Sequence, residues 1–127
     1  MRKIIQTSHA PLPIGPYSQA VQINDTLYCS GQIGLDPVTM ELVTESIEEE
    51  TEQVMKNLTA VLKAAGMSFD QVVKVSIFLS DMAHFESVNA IYGRYFDHQT
   101  APARETVAVQ TLPKSVRVEI SIIAVGA

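Results

Sequence analysis

Residues 46 to 66 carry a helical pattern closed at both ends, and this stretch restricts the available folds more than any other. Ser46 followed by Glu49 fits a capping box, in which the hydroxyl takes an orphan amide and the glutamate reaches back to the cap. Ile47, Val54, Leu58, Val61, Leu62 and Ala65 then recur at helical spacing, and Gly66 stands where a left-handed cap is wanted. The acidic run Glu48-Glu49-Glu50 reads as a solvated first turn that complements the helix dipole. A helix with one apolar stripe must lay it on another apolar surface. The chain therefore needs a sheet for this helix to cover.

Strand patterns supply one. Residues 17–23 (YSQAVQI) and 26–33 (TLYCSGQI) are short β-like runs, and Asn24-Asp25 between them suits a tight hairpin turn. The segment GLDPVTMELVTE is rich in turn formers and reads as a loop, with a short turn at Asp36-Pro37. VVKVSIFLS, residues 72–80, sets Val73, Val75, Ile77 and Leu79 on one face and Lys74, Ser76, Phe78 and Ser80 on the other. Asp81 can cap a second helix, whose Phe85, Val88, Ile91, Tyr92, Tyr95 and Phe96 trace one stripe that ends near His98. ARETVAV and VRVEISIIAV follow as strands on either side of a Leu112-Pro113-Lys114 turn. The expected order is two or three strands, helix, strand, helix, strand, strand. This predicts a single α+β domain over residues 1–127, a two-layer sandwich with two helices packed on a mixed sheet. The last strand is apolar on both sides toward its end, so association through the second sheet face would bury it.

Composition excludes several functions. At 127 residues the chain can bury one core without staples. Cys29 is the only cysteine, which leaves no intrachain disulfide and no Cys-based zinc cluster. His9, His84 and His98 lie far apart, at none of the spacings that metal sites use. Nine basic residues against fourteen acidic ones give a net charge of −5, with no Lys/Arg cluster to follow a phosphate backbone, which argues against nucleic acid. No run approaches a membrane span, and MRKIIQTSHAPLPIG lacks the apolar core of a signal peptide, so a cytoplasmic location is expected.

The candidate chemistry centres on APARETVAV. Alternation puts Arg104, Thr106 and Ala108 on one face, with Ala103, Glu105, Val107 and Val109 on the other. In the last strand Arg117, Glu119, Ser121, Ile123 and Val125 share a face. Paired as a hairpin across Pro113, the two strands would bring Arg104 near Glu119. A guanidinium held there offers a planar fork for a carboxylate, and an Arg104–Glu119 ion pair with no catalytic role fits the same pattern. Ser30-Gly31 interrupts an apolar strand, marking either a bulge or a close approach by a ligand. Asn89 falls at the margin of the second helix's buried stripe, and Tyr17 follows the rigid, turn-prone PLPIGP.

These residues together resemble the RidA family, the reactive-intermediate deaminases also labelled L-PSP endoribonucleases. IGPYSQAV, SGQIGLDP, AAGMSFDQVVKVSIFLSDM, PARETVAV and LPKSVRVEISIIAV carry the resemblance, in order, from about residue 3 to residue 126. It implies a chorismate-mutase-like fold of the bacillus type, assembled as a homotrimer with sheets inside, helices outside and clefts between subunits. It implies hydrolysis of 2-iminobutanoate and 2-iminopropanoate, products of pyridoxal-phosphate (PLP) dehydratases, to 2-oxo acids and ammonia, without cofactor or metal. Arg104 would then grip the substrate carboxylate and Glu119 would position or activate water. Tyr17, Ser30, Gly31 and Asn89 would line the cleft, and Thr106 would add a wall and a polar contact. Arg104, Thr106 and Glu119 of one subunit are expected to face Tyr17, Ser30 and Asn89 of a neighbour.

The chain departs from the pattern at two positions. Many relatives carry a small residue after the arginine and a cysteine next, where this chain has Glu105 and Thr106. A thiol nucleophile is thereby absent at that point. Two other readings stand beside imine hydrolysis: a trimer that binds small carboxylates or 2-oxo acids without turnover, and an endoribonuclease or translation inhibitor.

Overall fold

The computed structural model describes residues 1–126. Six strands form one sheet: β1 (Arg2–Ile5), β2 (Ala20–Ile23), β3 (Thr26–Gln32), β4 (Val72–Leu79), β5 (Ala103–Ala108) and β6 (Val118–Val125), in the order β1-β2-β3-β6-β4-β5. Helices α1 (Ile47–Ala64) and α2 (Phe85–Tyr92) cover one face. The expected two-layer α+β sandwich is the architecture found.

The local signals act where the residues predict. The Ser46 side chain accepts from the Glu49 N–H at 3.0 Å and starts α1, while the return bond of the expected capping box, from the Ser46 N–H to the Glu49 carboxylate, is not made. After Ala65, Gly66 turns at φ 72, a conformation a side chain would resist. Val54, Leu58, Val61 and Leu62 are buried along α1 against Leu27, Val75, Ile77, Ile120 and Ile122 of the sheet. Each such side chain contributes roughly 1.5–3 kcal/mol of gross burial energy. Asn24, at φ 53, closes the β2–β3 hairpin. Asp36 accepts from the Val38 and Thr39 N–H groups and forms the expected loop turn. Asp81 caps a 3-10 turn, Met82–His84, that leads into α2. Cys29 is buried, and burial pushes its thiol up to about 12, so it is an inert core residue at neutral pH.

Val73 does not share the buried face of Val75, Ile77 and Leu79: a register shift between Val72 and Lys74 leaves it 48% exposed and buries Val72 instead. Two larger expectations fail. The first concerns the last strands, which do not form a hairpin. β5 pairs in parallel with β4, and β6 pairs antiparallel with both β3 and β4, so β4 lies between β5 and β6. A short link across Pro113 permits a hairpin but does not require one. Here the link includes a 3-10 turn with Lys114 and Ser115 at φ 55 and 56, and it carries the chain past the neighbouring strand. The second concerns the acidic first turn of α1. Glu48 and Glu49 are exposed, but Glu50 is 2% exposed and binds Arg117. Arg117 precedes β6, and its side chain turns to α1 instead of joining the Glu119 face.

The helix-free face of the sheet stays open. Ile4, Val21, Tyr28, Ile123, Phe78 and Val107 lie on it by register, with Ile4, Tyr28 and Val107 more than 40% exposed. A polar cluster interrupts it near β5, where Lys74 Nζ lies 3.0 Å from Glu105 and Ser76 also donates to that carboxylate. Glu105 thus points away from Arg104, as strand alternation requires.

Candidate functional site

Register assigns the two central candidates to opposite faces. Arg104 pairs with Val75, on the helix side, whereas Glu119 pairs with Phe78, on the open side. Two strand spacings and three residues of offset separate their Cα atoms by roughly 14 Å, with the sheet between their side chains. The intrachain Arg104–Glu119 pair is therefore excluded. The candidates fall into two groups on one chain.

The first group surrounds the guanidinium. Arg104 Nη1 donates to Asn89 Oδ1 at 2.6 Å, and its Cζ lies 5.1 Å from the Tyr92 ring centre and 5.7 Å from that of Phe85. Two aromatic faces and one amide thus hold the fork. Burial raises the Tyr92 hydroxyl above its ordinary value, with Arg104 opposing, so the ring stays neutral beside the cation. Asn89 is exposed beside the buried Val88 and one turn from the buried Tyr92, at the margin of the stripe, and it belongs with the arginine of its own chain. The expectation that Asn89 faces Arg104 from a neighbour is corrected accordingly. Thr106 lies on the same side, and its Oγ1 is buried with no hydrogen-bond partner. Asn89, Tyr92, Gly93, Phe96, Pro102 and Arg104 line a shallow cleft at this edge.

The second group surrounds Glu119. Tyr17, Ser30, Gly31 and Glu119 of the same chain share a cleft with Leu12 and Lys114, so the expectation that Glu119 faces Tyr17 and Ser30 of a neighbour is corrected too: the β3–β6 pairing brings them together within one chain. Ser30 Oγ donates to the Ser18 carbonyl at 2.6 Å, and its N–H donates to the Gln19 carbonyl at 2.9 Å, which ties the Tyr17 loop to β3. The β3–β6 register shifts between Cys29 and Gln32, so Ser30-Gly31 does form a bulge. It also allows a close approach, because a Cβ on Gly31 would stand 2.5 Å from Glu119 Oε2. Glu119 is half-buried, and burial raises its carboxyl above the ordinary glutamate value, the direction suited to a group that takes a proton near neutrality.

Sequence reasoning missed three contributors. By spacing Phe85 and Tyr92 belong to an apolar stripe, and nothing in that pattern shows that Arg104 stacks on them. Gln19 is 2% exposed; it accepts from the Thr7 N–H and donates to the Thr7, Ala10 and Pro11 carbonyls, which holds the loop that walls the second cleft. A glutamine within an apolar run, just before a strand, was the available signal. Among the described residues, no three His, Cys, Asp or Glu side chains gather to hold a metal ion. No described helix is long and apolar enough to cross a membrane.

The fold and site define a class: a two-layer α+β sheet with a clamped arginine on one side and, on the other, a half-buried glutamate whose carboxyl is raised above its ordinary value. The comparisons name its family. The profile described as Endoribonuclease L-PSP matches residues 7–126, and the chain belongs to this family, whose members include the RidA proteins. It is 51% identical to a mouse protein named 2-iminobutanoate/2-iminopropanoate deaminase, over 98% of this chain and 92% of that one. A Rid-family protein from Yersinia pestis superposes with a TM-score of 0.96 at 47% identity, over 99% of this chain and all of the other. E. coli TdcF, solved with bound serine, gives a TM-score of 0.92 at 37% identity, over 98% and 99% of the two chains.

Proposed function

We propose that the protein hydrolyses reactive 2-imino acids such as 2-iminobutanoate and 2-iminopropanoate to 2-oxo acids and ammonia, in clefts formed between copies of the chain. The observation that carries this reading is the separation of Arg104 and Glu119 onto opposite sheet faces. A ligand that needs both must lie between two subunits. The open apolar face, with Tyr28 and Val107 exposed, supplies a surface through which copies can associate, and a homotrimer is the proposed assembly. The name of the mouse relative supports the reaction, and serine bound to the E. coli relative supports a small amino-acid-derived carboxylate as ligand.

The chemistry asks little of the site. Arg104, with Asn89 occupying one of its donors, presents the remaining N–H groups to the substrate carboxylate. Glu119 from a second copy takes a proton as water attacks the carbon of the protonated imine, giving a neutral carbinolamine. Return of that proton to nitrogen lets ammonia leave as the C=O bond forms, and the hydroxyl proton passes to the freed carboxylate, which leaves the 2-oxo acid. Tyr17, Ser30 and Gly31 wall the cleft on the Glu119 side, and Thr106, two residues from Arg104 on the same strand face, is assigned a polar contact on the other side. Thr106 stands where many relatives have cysteine, so no thiol takes part at that position.

The test is a coupled assay in which a PLP-dependent threonine dehydratase generates the imine and semicarbazide traps it. Added protein is expected to lower semicarbazone formation and speed 2-oxobutanoate release. Unchanged trapping at saturating protein would overturn the proposal. A non-catalytic carboxylate binder is the alternative, and Glu119→Gln separates the two: a hydrolase loses rate more than affinity.

A further inference from the structure

We infer that Glu50 is a positioning residue for the cleft, fixing through Arg117 the strand from which Glu119 reaches across Gly31. This rests on the reading of Glu119 as the group that activates water. Glu50 stands in the first turn of α1 yet is almost fully buried. Both carboxylate oxygens serve one residue: Oε2 accepts the Arg117 backbone N–H at 2.9 Å, and Oε1 accepts its Nε at 2.7 Å. Nη2 of the same guanidinium donates to the Thr44 carbonyl at 3.2 Å. The position and direction of the backbone that begins β6 are thus set by a charge on α1.

Glu119 follows two residues later. Among the described residues no group hydrogen-bonds its carboxylate, so its placement depends on the backbone and on packing against Gly31. Glu50 packs in a parallel way: a Cβ on Gly34 would stand 2.8 Å from Glu50 Cγ and 3.0 Å from its carbonyl oxygen. Two glutamates therefore lie across two glycines of one short segment. One is anchored by an ion pair, and the other is left free to react. A small shift of β6 against that segment would change how Glu119 meets water, and reaction rates respond steeply to such misplacement.

The test compares the full-length wild type with Glu50→Gln, and with Arg117→Lys as a second variant that keeps the backbone N–H contact. Carboxyl-carbon NMR of labelled glutamate, assigned with Glu119→Gln, follows Glu119 without substrate. Glu50→Gln is expected to fold, to lower kcat about tenfold with KM changed less than about twofold, and to move the Glu119 titration toward the ordinary range. A merely structural ion pair would lower Tm and leave both readings alone. An unmoved titration or a wild-type kcat in the folded variant overturns the inference, and should Glu50→Gln not fold, the same readings on Arg117→Lys decide. Failure of the functional reading would show separately, as Glu119→Gln retaining imine hydrolysis while the titration still reports on Glu50.

Discussion

Glu119 lies over Gly31 so closely that a methyl group on the glycine would stand 2.5 Å from Oε2 of the carboxylate. The contact is with the end of a flexible side chain, so Gly31→Ala should displace Glu119 rather than break the sheet. A fall in kcat of about tenfold or more is expected, with a Tm near that of the wild type. Steady-state kinetics and thermal unfolding of the same preparation check both.

Arg104→Lys keeps the charge and loses the fork. A lysine cannot meet Asn89 and a carboxylate in the same plane, and hydrogen bonds to charged groups contribute about 1.5–3 kcal/mol. Imine hydrolysis should drop about ten- to a hundredfold, largely in kcat/KM, with the far-UV spectrum unchanged.

Acidity should act on Glu119 in two ways. Its carboxyl is raised above the ordinary value of 4.5 by burial, so the folded chain binds that proton more tightly than the unfolded one. The stability this group contributes is full below the ordinary value and is lost as pH rises through the raised one. Glu119→Gln should therefore match or exceed the wild type in Tm at pH 7 and lose that advantage in acid. Activity runs the opposite way, because only the ionised form accepts a proton. The wild-type rate should fall on an acid limb lying above 4.5, and the glutamine variant should show no such limb. Unfolding and rate profiles across pH read both effects.

Gln19→Leu removes the bonds that hold the Tyr17 loop. The Thr7 N–H and the Ala10 and Pro11 carbonyls would lose their partner, at a cost of about 1–3 kcal/mol. A Tm lowered by roughly 5 °C and a raised KM are expected, measurable by calorimetry and kinetics.

What the residues made legible was local. The Ser46 cap, the Gly66 stop, the β2–β3 turn and the alternation that turns Glu105 away from Arg104 all act within a few residues, and all are found. The β5–β6 hairpin was not, because strand order depends on which distant strand buries its face best, and β4 outcompetes the nearby partner. Glu50 escapes local pattern for a similar reason: a first-turn glutamate looks solvated until Arg117, 67 residues on, arrives to bury it. The family resemblance singled out the candidate residues, but only register divides them into Arg104 with Asn89 and Glu119 with Gly31.

That division has a genetic consequence. On the proposed assembly, with Arg104 and Glu119 on opposite faces of the sheet, every cleft between copies would draw its arginine and its glutamate from different polypeptides. Two inactive alleles, one altered at Arg104 and the other at Glu119, should therefore rescue each other when expressed together. Random mixing would restore roughly a quarter of the clefts to full composition, although neither gene product works alone.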